Sequence, residues 1–213
     1  MTARQIIDKA KEEIGVHESP PNSNNVKYNT WFYGHPVQDG VPSGTTYPWC
    51  AVFISWLFKA DPSLCIKTAS CANMLAWFEK KGQVVKTPQA GDIVFFKFST
   101  NNRRTNHVGL VVSVSDDGKV INTIEGNTSL KGSQDNGGMV MQRNRYSHIV
   151  AYARPAYQQG TLTNITDHKS LEEIAMDVIR GKYGIMPERK QKLEAEGYNY
   201  EEVRAMVNKL KNK

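Results

Sequence analysis

The sequence predicts an α+β domain followed by a small bundle of three helices. Helical patterns occupy roughly the first eighty residues, short strands run from there to about residue 154, and a new set of helical patterns begins after a polar stretch near residue 158. Helices first and an antiparallel sheet second is the layout of an α+β fold. The expected divisions are residues 1–157 for this domain, 158–168 for a linker, and 169–213 for the bundle.

Ala3 to Ile14 reads as the first helix, because Ile6, Ile7, Ala10 and Ile14 share a face and Gly15 is a stop signal. A long loop with Pro20, Pro21, Asn22, Asn24 and Asn25 follows. Cys50 to Lys59 reads as a buried helix, with Pro48 just ahead of its first turn, where a missing amide costs little. Ala72 to Lys80 is a further helix, ended by Gly82. Asp92 to Phe98 reads as a strand. His107 to Val114 and Val120 to Ile124 flank Ser115-Asp116-Asp117-Gly118-Lys119, which signals a hairpin. Met139 to Arg143 and Ile149 to Arg154 add two strands. The polar segment Gln158 to Asn164 lacks apolar periodicity and reads as linker. Beyond it, Ser170 and Glu173 form a capping box ahead of the stripe Leu171, Ile174, Ala175 and Val178, which Gly181 ends. Pro187 opens a second tail helix, ended by Gly197. Asn199 with Glu202 opens a third, with Val203, Met206, Val207 and Leu210 facing inward.

The 213 residues are 39% hydrophobic and 23% charged, which suits a soluble globular protein. No stretch approaches the roughly 18 apolar residues of a membrane span, and the N-terminal segment to Gly15 lacks the apolar centre of a secretory signal. The expectation is synthesis in a cytoplasm, with any action outside the membrane needing another route of release. Three cysteines, Cys50, Cys65 and Cys71, argue against a disulfide framework, and no CxxC or HxxxH pair suggests a metal. The net charge of +6 suits an anionic polymer. The chain has no dense basic stripe with interleaved aromatics, which argues against nucleic acid.

A cysteine attacks as its thiolate, and a helix N-terminus with free amides lowers its pKa. Cys50 sits at such a predicted terminus, where the same amides suit the oxyanion of a tetrahedral intermediate. His107, at the start of a strand, supplies a base. The hairpin then decides its partner. A two-residue turn at Asp117-Gly118 puts His107 and Glu125 on opposite faces. A three-residue turn, Asp117 to Lys119, puts His107, Glu125 and Asn127 on one face, so a thiol–imidazole–carboxylate or –amide series requires the second register. Cys65 and Cys71 read as structural. His148, also just ahead of a strand, is the second choice of base, while His17, His35 and His168 lack such a context.

At these residues the sequence resembles a known family. Tyr47-Pro48-Trp49-Cys50-Ala51-Val52-Phe53, Ala90-Gly91-Asp92-Ile93-Val94, Asn106-His107-Val108-Gly109 and Ile124-Glu125-Gly126-Asn127 recur in the order of the CHAP domain, the cysteine, histidine-dependent amidohydrolase/peptidase. The resemblance implies a papain-like fold of the NlpC type and cleavage of an amide bond in the peptide part of bacterial peptidoglycan, as an N-acetylmuramoyl-L-alanine amidase or an endopeptidase. It implies Cys50 as nucleophile, His107 as base, Glu125 as the residue that orients it, and Asn127 as an accessory member. Several such domains carry glutamine before the nucleophile. Here that position is Trp49, so the oxyanion and substrate contacts are expected to involve Trp49 and Tyr47 beside the Cys50 amide. Some relatives bind calcium through an acidic loop ahead of the cysteine. Gln38 to Trp49 contains only Asp39, so no calcium and no other cofactor is expected.

The tail is similar to the "CW seven" wall-binding repeat of some phage lysozymes, through Val178-Ile179-Arg180-Gly181-Lys182-Tyr183-Gly184, Glu188-Arg189-Lys190 and Ala195-Glu196-Gly197-Tyr198-Asn199-Tyr200. That implies recognition of the muropeptide, with Arg189 for a carboxylate and Tyr183 and Tyr198 for a sugar face. The two resemblances together imply a peptidoglycan hydrolase of the endolysin type; a monomer is expected, and the missing export signal favours release to the wall with the help of a holin and hence a bacteriophage origin. Rival readings are a silent wall-binding protein and a thiol amidase acting on a soluble amide.

Overall fold

The computed structural model describes residues 1–100, 103–129, 138–158, 171–195 and 198–211. The chain forms two compact units, Met1–Gln159 and Gly160–Lys213. Apart from Gln158, the predicted linker lies outside the described residues, as do Ser170 and Gly197.

The first unit is α+β. Its helices are α1 (Ala3–Glu12), α2 (Lys27–Tyr33), α3 (Cys50–Leu57) and α4 (Cys71–Lys80), and its strands are β1 (Val84–Val85), β2 (Ile93–Phe96), β3 (His107–Val114), β4 (Ile121–Thr128), β5 (Met139–Arg145) and β6 (Ile149–Ala153). The six strands form one sheet in the order β1-β6-β2-β3-β4-β5, and every neighbouring pair is antiparallel.

In α1, Thr2 and Gln5 close a capping box and Ile6, Ile7 and Ala10 enter the core. The helix ends at Glu12, so Ile14, expected on the buried face, is exposed. The loop that follows contains α2, which the sequence did not announce, because Asn29, Thr30 and the aromatics of this segment are weak helix formers. Tertiary contacts hold it: the Tyr28 hydroxyl donates to Glu13 Oε2 at 2.6 Å, and Asn29 Nδ2 donates to the carbonyls of Asn24 and Tyr47 at 2.8 Å each. The Tyr47 bond ties α2 to the chain entering α3.

α3 is the central element: all of its residues except Trp56 are buried. It lies against β3 and β4, where Gly126 lets the layers meet. A Cβ there would fall 2.6 Å from Phe53 Cβ and 2.7 Å from the Trp49 ring. The face of the sheet toward the helices contributes Val108, Leu110, Ile124 and Val140 to the main core. Val94, Phe96, Val111 and Ile121 form a second, smaller cluster.

The β3–β4 hairpin follows neither predicted register along its whole length. Next to the turn, Val114 pairs with Ile121 and Ser113 with Asn122, the register expected of a two-residue turn. A bulge then takes up Val112, and beyond it Val111 pairs with Thr123 and Leu110 with Ile124. The extra residue reverses which side chains share a face. His107 and Glu125 therefore meet without the three-residue turn that this had been expected to need.

The second unit contains α5 (Leu171–Ile179), α6 (Glu188–Ala195) and α7 (Tyr200–Lys211). Ile174, Val178, Tyr183, Leu193 and Val203 form its core. Asn199 Oδ1 accepts from the amides of Glu201 and Glu202 at 2.9 and 3.3 Å, capping α7.

Candidate active site

Cys50 is the first residue of α3, and its sulfur lies at the head of the helix with only 3% of the residue exposed. No side chain makes a capping hydrogen bond at this terminus. The sulfur takes a hydrogen bond from the Ala51 amide and interacts with the His107 imidazole. It also lies 3.5 Å from Cys71 Sγ. Together these hold the Cys50 thiol well below its ordinary range: the Cys71 contact contributes most, burial opposes it, and the imidazole adds to it. The three cysteines are free thiols.

His107 opens β3 and is buried beside the stacked rings of Phe96 and Phe98, at centroid distances of 6.0 and 5.7 Å. Its Nε2 lies 2.8 Å from Glu125 Oε2, which leaves Nδ1 as the nitrogen for the sulfur. Burial works against the charged ring. The bonds to Cys50 and Glu125 outweigh it and raise the imidazole from 6.5 to about 9.

Glu125 is fully buried on β4. Its carboxylate also receives Arg145 Nε at 2.8 Å, Arg145 Nη2 at 2.5 Å and Thr123 Oγ1 at 2.6 Å. Against burial, Arg145 and His107 lower it from 4.5 to about 2. The carboxylate is thus ionised and fixed in direction. Gly109 makes room for it: a Cβ on that residue would sit 2.7 Å from Glu125 Cγ.

Asn127 is also buried, with φ of 54°. Its Oδ1 crowds Gly138 beside Glu18 Oε1 and has no hydrogen-bond partner among the described residues. Of the two residues considered as the orienting group, Glu125 holds the imidazole, and Asn127 turns its amide toward Gly138. His148, the alternative base, is exposed at the β5–β6 turn, with Nδ1 2.9 Å from Ser147 Oγ.

The two residues expected at the oxyanion or substrate are committed elsewhere. Trp49 is fully buried, donates from Nε1 to Glu18 Oε1 at 2.9 Å and stacks on Tyr28. Its side chain is a packing residue. The Tyr47 hydroxyl donates to the Val41 carbonyl at 3.1 Å, and its amide donates to Asp39 Oδ1 at 2.8 Å. The other Asp39 oxygen accepts from Asn24 Nδ2 at 2.8 Å, so this lone acid of the preceding loop braces the loop. No group of three or more metal-binding side chains occurs among the described residues.

The sulfur opens onto a cleft of about 540 Å³, whose lining includes Pro48, Cys50, Ser70, Cys71, Arg103 and Asn106. Arg103 is the charged side chain in that lining. Sequence reasoning missed Cys71, Arg145 and Arg103. Only Arg145 left a trace, in the alternation of β5, and without the β4–β5 register that trace points nowhere.

In the second unit, Tyr183 is buried in the core and Tyr198 packs partly buried against it. This corrects the expectation that Tyr183 offers a face to a sugar. Arg189 donates from Nε and Nη2 to the Gly184 carbonyl at 2.9 and 2.5 Å, closing the turn ahead of α6.

A cysteine at the head of a buried helix, facing a histidine on an antiparallel sheet, is the arrangement of the papain-like α+β class. Within that class the chain carries a CHAP domain, matched over residues 42–127, and it carries a CW_7 repeat, matched over residues 172–210. No curated protein matches the chain. Among solved structures it is similar to the crystal structure of Ly7917, with 16% identity over 73% of this chain and 62% of that one and a TM-score of 0.44. It is also similar to the crystal structure of Ly7917 with the hydrolyzing product of MDP, with 15% identity over 72% and 63% and a TM-score of 0.41. The chain therefore spans less than two thirds of the length of Ly7917.

Proposed function

We propose that this protein is a peptidoglycan hydrolase whose CHAP domain cleaves an amide bond in the peptide part of the bacterial wall, and whose CW_7 unit holds it to that substrate. The carrying observation is the series Cys50–His107–Glu125, in which one thiol at a helix head meets an imidazole already anchored by a buried carboxylate. The CHAP and CW_7 matches direct this chemistry to peptidoglycan.

In the proposed reaction the Cys50 thiolate attacks the carbonyl carbon of the scissile amide, and the oxyanion is met by main-chain amides at the head of α3. The His107 imidazolium gives its proton to the leaving amine, and the carbon–nitrogen bond breaks. The neutral imidazole then takes a proton from water as the hydroxide attacks the thioester, and free carboxylate and thiol result. Glu125 keeps Nε2 protonated and the ring in plane throughout. The CW_7 unit raises the local concentration of substrate at the cleft.

Cys50→Ala tests this reading. The variant is expected to stop the loss of turbidity of purified walls and still co-sediment with them. Lysis near the wild-type rate would overturn the assignment, and a wild-type protein that binds walls without releasing new amino groups would make it an adhesin. Mass spectrometry of the released fragments separates an N-acetylmuramoyl-L-alanine amidase from an endopeptidase. Action as a phage endolysin reaching the wall through a holin belongs to the same proposal.

A further inference from the structure

We propose that Cys71 is a second catalytic thiol, whose S–H donates a hydrogen bond to the Cys50 sulfur and stabilises that sulfur as the attacking thiolate. The inference rests on the reading of Cys50 as the nucleophile and adds a residue to it.

The geometry carries it. The two sulfurs are 3.5 Å apart, within the range of a sulfur hydrogen bond, and both residues are buried, with 3% and 7% exposed. Each cysteine is the first residue of a helix, Cys50 of α3 and Cys71 of α4, and both line the same cleft. Ser70 Oγ accepts the Asn73 amide, which fixes the start of α4 and with it the position of Cys71.

Two thiols in contact share their protons unequally. The Cys50 sulfur also faces the Ala51 amide and the His107 imidazole, and both favour its negative charge. Cys71 faces the charge that forms on Cys50, and that neighbour together with burial pushes its own ionisation well above the ordinary thiol range. The proton therefore stays on Cys71, which makes Cys71 the donor and Cys50 the acceptor. Cys65 provides an internal comparison. It is equally buried, and burial alone pushes its thiol far up. A buried thiol in this domain stays neutral unless donors surround it. Cys50 has three, and Cys71 is the side-chain donor among them whose proton the reaction does not use.

Other charged groups near the sulfur pair are His107 from β3 and Arg103 ahead of it, with Glu125 and Arg145 beyond the imidazole. None of them changes in the variants below.

The test is the rate of iodoacetamide alkylation at Cys50 in the full chain as a function of pH. The protein is kept reduced, and the Cys50 peptide is read by mass. Wild type is expected to show an inflection well below the roughly 8.5 of a free thiol. Cys71→Ala and the closer-sized Cys71→Val both lack a donor. Each is expected to move the inflection up by about one pH unit, a roughly tenfold slower reaction at acid pH. Cys71→Ser keeps an O–H donor and is expected to stay near wild type. A merely space-filling role would leave the inflection in place in Cys71→Val. An inflection unmoved in both donorless variants, or a Cys71→Ser variant that follows them, overturns the proposal. A wild-type inflection near that of a free thiol overturns the nucleophile reading as well, so the two failures are distinguishable.

Discussion

Glu125→Gln separates the charge of Glu125 from its shape. The wild-type carboxylate holds His107 Nε2 at 2.8 Å and is itself held by Arg145 and Thr123. Against burial, Cys50 and Glu125 raise the imidazole from 6.5 to about 9, a preference for the imidazolium of about 3 kcal/mol shared between the two partners. A hydrogen bond between charged groups contributes about 1.5–3 kcal/mol, so losing the carboxylate's charge should lower the imidazole by about one to two pH units. The half-buried guanidinium of Arg145 then lacks its counter-ion and pushes in the same direction. Protonation of the leaving amine needs the imidazolium, which is present below the raised value and lost as pH rises through about 9. In the variant that loss begins lower. Wall hydrolysis should fall about two- to tenfold near pH 8 and little near pH 6. The assay is the pH profile of initial rates on purified walls, with a melting curve at each pH as the control for folding. An alkaline limb that stays where it is in wild type, with rates undiminished, would refute the claim that Glu125 tunes His107.

Gly109→Ala should disable the enzyme without touching any reacting group. The new Cβ would lie 2.7 Å from Glu125 Cγ, so the carboxylate must move off Nε2. Overpacking of this kind costs about 1–3 kcal/mol, to be read as a lowered urea midpoint alongside a fall in rate. Acid should also destabilise the first unit through Glu125. With its carboxyl lowered from 4.5 to about 2, its contribution is complete above about 4.5 and disappears as pH falls toward 2. That loss is on the order of 3 kcal/mol, visible in urea titrations as a difference between wild type and Glu125→Gln that closes with falling pH.

The Cys50–His107–Glu125 series was legible in part because its parts are local. Cys50 follows Pro48 at the start of an apolar run, His107 begins a strand, and Glu125 lies across a hairpin from it, but the turn alone left their shared face open and the bulge at Val112 decided it. The residues that tune them were not legible. Cys71 reaches Cys50 because two helix starts converge, which depends on how α3 and α4 pack. Arg145 reaches Glu125 from its place opposite Ile121, and that depends on the pairing of β5 with β4, which the sequence pattern of neither strand fixes. Asn127 carried the right residue type at a suitable parity, yet its left-handed backbone turns it toward Gly138. Tyr183 shows the opposite ambiguity, since an aromatic spaced for a ligand face is spaced equally well for a core. α2 was hidden because its stability comes from Tyr28 and Asn29 bonding to distant chain.

The surplus residue at Val112 links the length of an outer loop to the chemistry beneath it. Deleting one residue from the Asp116–Lys119 tip, or smoothing the strand at Val112, would rotate every side chain on the inner half of one strand by half a turn and swing the carboxylate off the imidazole. Making both changes together would restore the alignment. Loop variants of this hairpin should therefore keep activity in steps of two residues, or in pairs of compensating single steps, so the tip is bound by its count as well as by the left-handed φ of 70° at Gly118.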